Sequence, residues 1–175
     1  MGQDIHSVIY VWSKIENKYV NAMETDSIDY ARYKPIFDGR NYDFFSLFGS
    51  KRSNYPELDR LKYGIPDFVS PTMRKFLEDS DWHTITWIMA SDLKASLIAY
   101  KNKLKNPANF ILEDEDFTSL PKDQAMKIID SWDEETENMA KFIQETIDYV
   151  TKLIEDGPSD LIIPEKTVFI TFFDN

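Results

Sequence analysis

Cysteine is missing from the sequence altogether, which excludes disulfides and thiolate metal sites and fits a reducing compartment. Glycine is scarce, with five in 175 residues, and no repeat or low-complexity tract runs through the chain, so fibrous and disordered classes are excluded. No apolar run approaches the ~20 residues needed to cross a bilayer, and no charged-then-apolar leader precedes a cleavage site. The expectation is a soluble, cytoplasmic protein with no membrane partner. Basic residues are also in deficit, 20 against 31 acidic ones, for a net charge of -11. That charge repels phosphate backbones at long range and disfavours direct nucleic-acid binding. It leaves two uses for an acidic surface: plain solubility, or imitation of a phosphate backbone toward a basic partner protein. The familiar hydrolase and nucleotide signatures are absent as well: there is no G-x-S-x-G elbow, Walker phosphate loop, H-E-x-x-H helix or G-x-G-x-x-G fingerprint.

What is present is a globular composition, 42% hydrophobic with 14% aromatics. A chain of this length buries roughly 70% of its unfolded surface, and residues 1–175 read as a single domain. Ser7 to Ser13 and Lys18 to Met23 are β-prone runs joined by the short polar link Lys14-Ile15-Glu16-Asn17, the pattern of a hairpin. Val8, Ile9 and Val11 leave neither face of the first strand polar, which predicts a strand covered on both sides. Phe44, Phe45, Leu47 and Phe48 have the spacing of a short core helix ended by Gly49. A charged loop with Pro56 then runs from Lys51 to Gly64.

Ser70-Pro71 is a helix start, with Ser70 as cap and Pro71 as first helical residue, and the helix should run to about Glu78. Trp82 to Met89 reads as a strand, followed by a helix from about Asp92 to Leu104 with Leu93, Leu97 and Tyr100 on one stripe. The longest helix is expected from about Lys122 to Glu155, with a seam of Ala140, Ile143, Ile147, Val150 and Ile154 and a break near Asp133 to Glu135. Lys166 to Phe173 is apolar on both faces and predicts a central strand. The fold class that results is α+β. Its small mixed or antiparallel sheet comes from the N-terminal hairpin, a middle strand and the C-terminal strand, and about four helices, one of them long, cover it. Were the two terminal strands to pair antiparallel, Asp174 and Asn175 would be expected near the far end of the first strand.

Chemistry-bearing residues concentrate at the chain start. Alternation places Asp4 and His6 on one strand face, where a carboxylate and an imidazole can share a proton or a metal. His6 and His83 are the two histidines of the chain, and both adjoin apolar runs. Asp4, His6, His83 and Asp174 are the candidate ligands for a divalent metal such as zinc, manganese or iron. The competing reading makes each histidine a core residue hydrogen-bonded to a carboxylate or backbone group. A second set, Arg40, Tyr42, Arg52 and Trp87, suits a phosphorylated small molecule or nucleotide, since guanidinium groups pair with phosphate through two parallel hydrogen bonds and aromatic rings stack a base; Trp82 is a further stacking candidate. A third possibility, a host protein bound through Glu113 to Asp116 or Asp133 to Glu137, needs no pocket.

Several blocks in order carry a resemblance: Gly2-x-Asp4-Ile5-His6, Gly39-Arg40-Asn41-Tyr42-Asp43-x-Phe45, Arg52, Gly64-Ile65-Pro66-Asp67-x-Val69-Ser70, His83-Thr84-x-Thr86-Trp87 and the closing Phe-Phe-Asp-Asn. Together the chain resembles an uncharacterised family encoded by bacteriophages and prophages whose members open G-C-D-I-H. The blocks span nearly the whole chain, and the long helical stretch matches in general character only. The resemblance implies an accessory protein acting inside an infected bacterium, with counteraction of host defence as the expected setting. Gln3 stands where the family usually has Cys, and Tyr10 stands near where it usually has Glu.

Overall fold

The computed structural model describes residues 4–22, 42–50, 57–79, 81–104 and 133–174. The first strand, β1, runs Ile5–Ser13 and turns through 14–17 into β2, Lys18–Asn21. Asn17 takes the turn's left-handed position at φ 50°, a conformation that Asn tolerates better than most residues. The backbone amide of Glu16 donates to Ser13 Oγ at 3.1 Å and fixes the turn from inside.

Helix α1, Tyr42–Ser46, ends in a Schellman arrangement. The Ser50 amide donates to Phe45 O at 3.3 Å and the Gly49 amide to Ser46 O at 3.0 Å, with Gly49 at φ 97° as the left-handed residue. The stretch read as a loop from Lys51 to Gly64 contains a two-residue strand, β3, Lys62–Tyr63. Helix α2, Pro71–Asp79, starts where Ser70-Pro71 places it, and Ser70 Oγ accepts from the Met73 amide at 3.2 Å. Strand β4 covers Ile85–Met89, and α3 follows directly as Ala90–Leu104. The long helix α4 spans Asp133–Glu155; the expected stretch from Lys122 to that point lies outside the described residues. Strand β5, Ile162–Phe173, starts four residues earlier than the periodicity suggests.

These strands form one antiparallel sheet in the order β2-β1-β5-β4-β3, so β5 is central. The pairing corrects one expectation. Antiparallel alignment lays the end of β5 beside the start of β1, with Ile5 opposite Phe173, so Asp174 lies next to Asp4 rather than at the far end of β1. Farther along, Tyr10 faces Val168 but Trp12 faces Ile163, so a bulge in β5 takes up 164–167. Pro164, with no amide hydrogen to give a ladder, falls inside it.

Alternation sends successive residues of β1 and β5 to opposite faces. Ile9, Val11, Phe169 and Phe173 enter a core with α1, α3 and α4; Val8, Tyr10, Val168, Ile170 and Phe172 enter a second core with Val69 and Leu77 of the α2 region. The helix seams follow the predicted stripes. Leu93, Leu97 and Tyr100 of α3 and Ile143, Ile147 and Val150 of α4 are buried, and Lys101 Nζ donates to Gln144 Oε1 between the two helices. On the same side a short hydroxyl chain crosses the sheet. Thr86 Oγ1 donates to Phe48 O at 2.8 Å, so its 2.6 Å contact with Thr171 Oγ1 is one in which Thr171 donates.

Candidate functional site

The antiparallel register brings the first described residues and the last ones to a single corner. The Asp174 amide donates to Asp4 O at 3.2 Å, continuing the ladder beyond β5. The Asp4 amide answers by donating to Asp174 Oδ1 at 3.0 Å. The second carboxylate oxygen, Asp174 Oδ2, stands 3.0 Å from His6 Nε2. Hydrogen bonding to His6 and to the Asp4 amide holds the Asp174 carboxyl below its ordinary value against a smaller opposing effect of burial. The two side chains are 41% and 40% exposed, so the pair sits at the surface of the sheet's end, open to solvent and to anything dissolved in it.

Aromatic rings wall this pair. The His6 imidazole stacks on Phe172 at 5.5 Å between centroids, 19° from parallel, and leans on Trp82 at 5.3 Å. Phe172 is the cross-strand neighbour of both His6 and Ile85, which is why β5 delivers its ring here. Phe76, on α2, meets Trp82 at 5.6 Å and Phe172 at 6.0 Å and stays 45% exposed. The arrangement offers a carboxylate, an imidazole and a partly open aromatic surface within one patch.

Of the metal set, His6 and Asp174 are brought into contact and Asp4 contributes its backbone. His83 reaches the corner through its amide, which donates to Phe173 O at 3.0 Å, while the residue itself is exposed and its ring makes no contact with that of His6. Among the described residues no group of three His, Asp or Glu side chains could hold a metal ion. The four proposed ligands therefore give a carboxylate–imidazole pair and not a coordination sphere.

The second set is divided by the sheet. Tyr42 packs beside the α1–α3–α4 core, edge-on to Phe45 at 6.1 Å. Trp87 lies on the opposite face, on the same side as His6 but opposite Ile170 rather than Phe172. There Lys62 Nζ covers its ring at 4.3 Å and Phe68 meets it edge-on at 5.8 Å. Tyr42 and Trp87 thus do not face one ligand. Arg40 and Arg52 lie outside the described residues. Phe76 and Phe172, which complete the aromatic wall, were not among the sequence candidates; the even-numbered alternation His6, Val8, Tyr10 against Val168, Ile170, Phe172 is the signal that links Phe172 to the histidine.

Compared with protein-family models, with curated proteins and with solved structures, the chain has no match. No helix of the described residues is long and apolar enough to cross a membrane.

Proposed function

We propose that this chain is a phage-encoded accessory protein, acting in the cytoplasm of an infected bacterium, that binds a small phosphorylated ligand of the nucleotide class at the His6–Asp174 corner. The observation that carries the reading is the 3.0 Å contact of His6 Nε2 with Asp174 Oδ2. An imidazole oriented by a carboxylate and flanked by rings is a prepared recognition group, and binding sites of this kind combine apolar walls with a few placed polar atoms. The phage setting rests on the resemblance of the opening, Gly39–Phe45, Gly64–Ser70 and closing blocks. Arg40 and Arg52 are the phosphate partners in this reading on guanidinium chemistry alone. A nucleotide is preferred to a metal because the corner supplies one imidazole and one carboxylate where a catalytic metal takes about three protein ligands. Turnover is not part of the proposal.

Thermal-shift measurement against a panel of nucleotides and cyclic dinucleotides tests it. A ligand at 100 times its dissociation constant adds ~2.7 kcal/mol of stability, a rise in melting temperature easily read. A flat response across the panel sinks the nucleotide reading.

A second reading draws on the net charge of -11: an acidic interaction protein that inhibits a host enzyme by presenting carboxylates in place of phosphates. It predicts capture of a basic host protein at low salt and its release at high salt. No partner recovered at low salt removes it.

A further inference from the structure

Which nitrogen of His6 is available decides what that ligand must present. An ionised carboxylate can only accept hydrogen bonds, and Asp174 has both oxygens engaged, Oδ1 with the Asp4 amide and Oδ2 with His6 Nε2, each at 3.0 Å. The hydrogen in the second contact therefore sits on Nε2. A neutral imidazole carries one hydrogen, and fixing it on one nitrogen leaves the other as a bare acceptor. Nδ1 has no hydrogen-bond partner among the described residues, and the side chain that carries it is 41% exposed. Phe172 and Trp82 on the ring's flanks restrict its rotation.

The charge beside it points the same way. Asp174 is two-fifths exposed beside the imidazole. Its carboxylate carries negative charge and repels a phosphate. The exposed ring of Phe76 beside Trp82 instead offers an apolar shelf next to a hydrogen-bond acceptor. Resting on the nucleotide reading above, we infer that His6 is held as its Nε2–H tautomer and presents Nδ1 to an N–H donor of the ligand's base, so that base and not phosphate meets this corner. An exocyclic amine of adenine or cytosine is the chemistry that fits. Inorganic phosphate is the chemistry that does not.

Nitrogen NMR of the full chain labelled with 15N-histidine tests both halves. The spectrum contains two rings, His6 and His83, told apart with a His83→Gln variant and recorded on the alkaline plateau of each ring's own titration. The expected result is a His6 ring almost wholly in the Nε2–H form. Addition of adenosine should move its Nδ1 signal, and inorganic phosphate should leave it in place. A His6→Gln variant keeps a nitrogen donor toward Asp174 but moves the acceptor, now the amide oxygen, away from the Nδ1 position, so adenosine affinity should fall on the order of tenfold, the worth of one good hydrogen bond. A dominant Nδ1–H tautomer, an even mixture, or a response to phosphate alone overturns the inference. If the tautomer is as expected but neither probe moves Nδ1, the base-facing half falls together with the nucleotide reading, while a wrong tautomer with a clear thermal-shift hit leaves that reading standing.

Discussion

The face of the sheet under α1, α3 and α4 is closed by buried aliphatic and aromatic side chains from every strand but β3, among them Phe169 and Phe173 at 0% exposure. Over the opposite face the described residues place α2 and the 65–70 segment. There Val8, Tyr10, Val69, Leu77, Val168, Ile170 and Phe172 are the buried residues of the core, and Tyr19, Phe68, Met73, Trp82 and Trp87 remain partly open. The difference separates two tasks. One face holds the larger buried core among the described residues, and apolar burial, at roughly 25 cal/mol per Å², is the main source of stability. The other leaves aromatic surface and the His6–Asp174 pair partly exposed.

The same substitution made on each face is the strongest way to break this contrast. Leu97→Ala, in α3 at 0% exposure, and Leu77→Ala, in α2 at 2%, each remove a buried leucine, a change worth about 2–5 kcal/mol depending on how far the site can collapse. Leu97 should fall near the upper end, because helices and sheet enclose it. Leu77 should fall near the lower end, because α2 can settle onto the sheet. Urea denaturation gives both values, and equal costs would remove the distinction.

A smaller effect should come from the hydroxyl chain under α1. Thr86→Val leaves Phe48 O and the Thr171 hydroxyl without the partner each has now, at a cost of about 1–3 kcal/mol. Because Thr86 belongs to the face away from His6, the His6 ring signals should stay where they are in the wild type. A loss of stability below 0.5 kcal/mol, on the order of an ordinary surface substitution, would mean that water replaces the lost bonds.

The smallest effect belongs to the corner itself. The carboxyl of Asp174 is held below its ordinary value of 3.8 chiefly by His6. A group whose folded value is depressed stabilises the fold above its unfolded value, and that contribution is lost as pH falls through the folded one. The contribution should therefore be present in full at neutral pH and fade below about pH 4. With both side chains about two-fifths exposed, solvent screening keeps it under about 1 kcal/mol. Asp174→Asn should lower stability by that small amount at pH 7 and converge with the wild type in acid. A constant difference across the whole range would assign the loss to packing instead.

Much of this architecture is legible in local pattern. Ser70-Pro71 marks the start of α2 because a side-chain cap and a missing amide hydrogen act within one turn. The stripes of α3 and α4 show because a helix repeats its buried face every three or four residues. Antiparallel register does not show in this way. Whether Asp174 reaches Asp4 or the other end of β1 depends on whether two strands some 170 positions apart run antiparallel or parallel, and which side chains then share a face depends on a register in which a one-residue slip reverses every side chain. The pairing of His6 with an acid is open to sequence reasoning, and strand alternation links Phe172 to His6 once β1 and β5 are paired, but Phe76 is not so linked, since a ring in a helix and a ring in a strand become neighbours only through packing. Lys62–Tyr63 was hidden for another reason: two residues are too few to carry a period.

The pairing of β1 with β5 also sets an order of events during synthesis. The hairpin of β1 and β2 can form as soon as it leaves the ribosome, yet the partner that covers its inner edge is translated more than a hundred residues later. Until then β1 offers a bare row of amides and carbonyls to whatever passes, the condition under which nascent chains stick to one another. Closure of the sheet is thus a late and sequence-distant step, of the kind that makes folding slow.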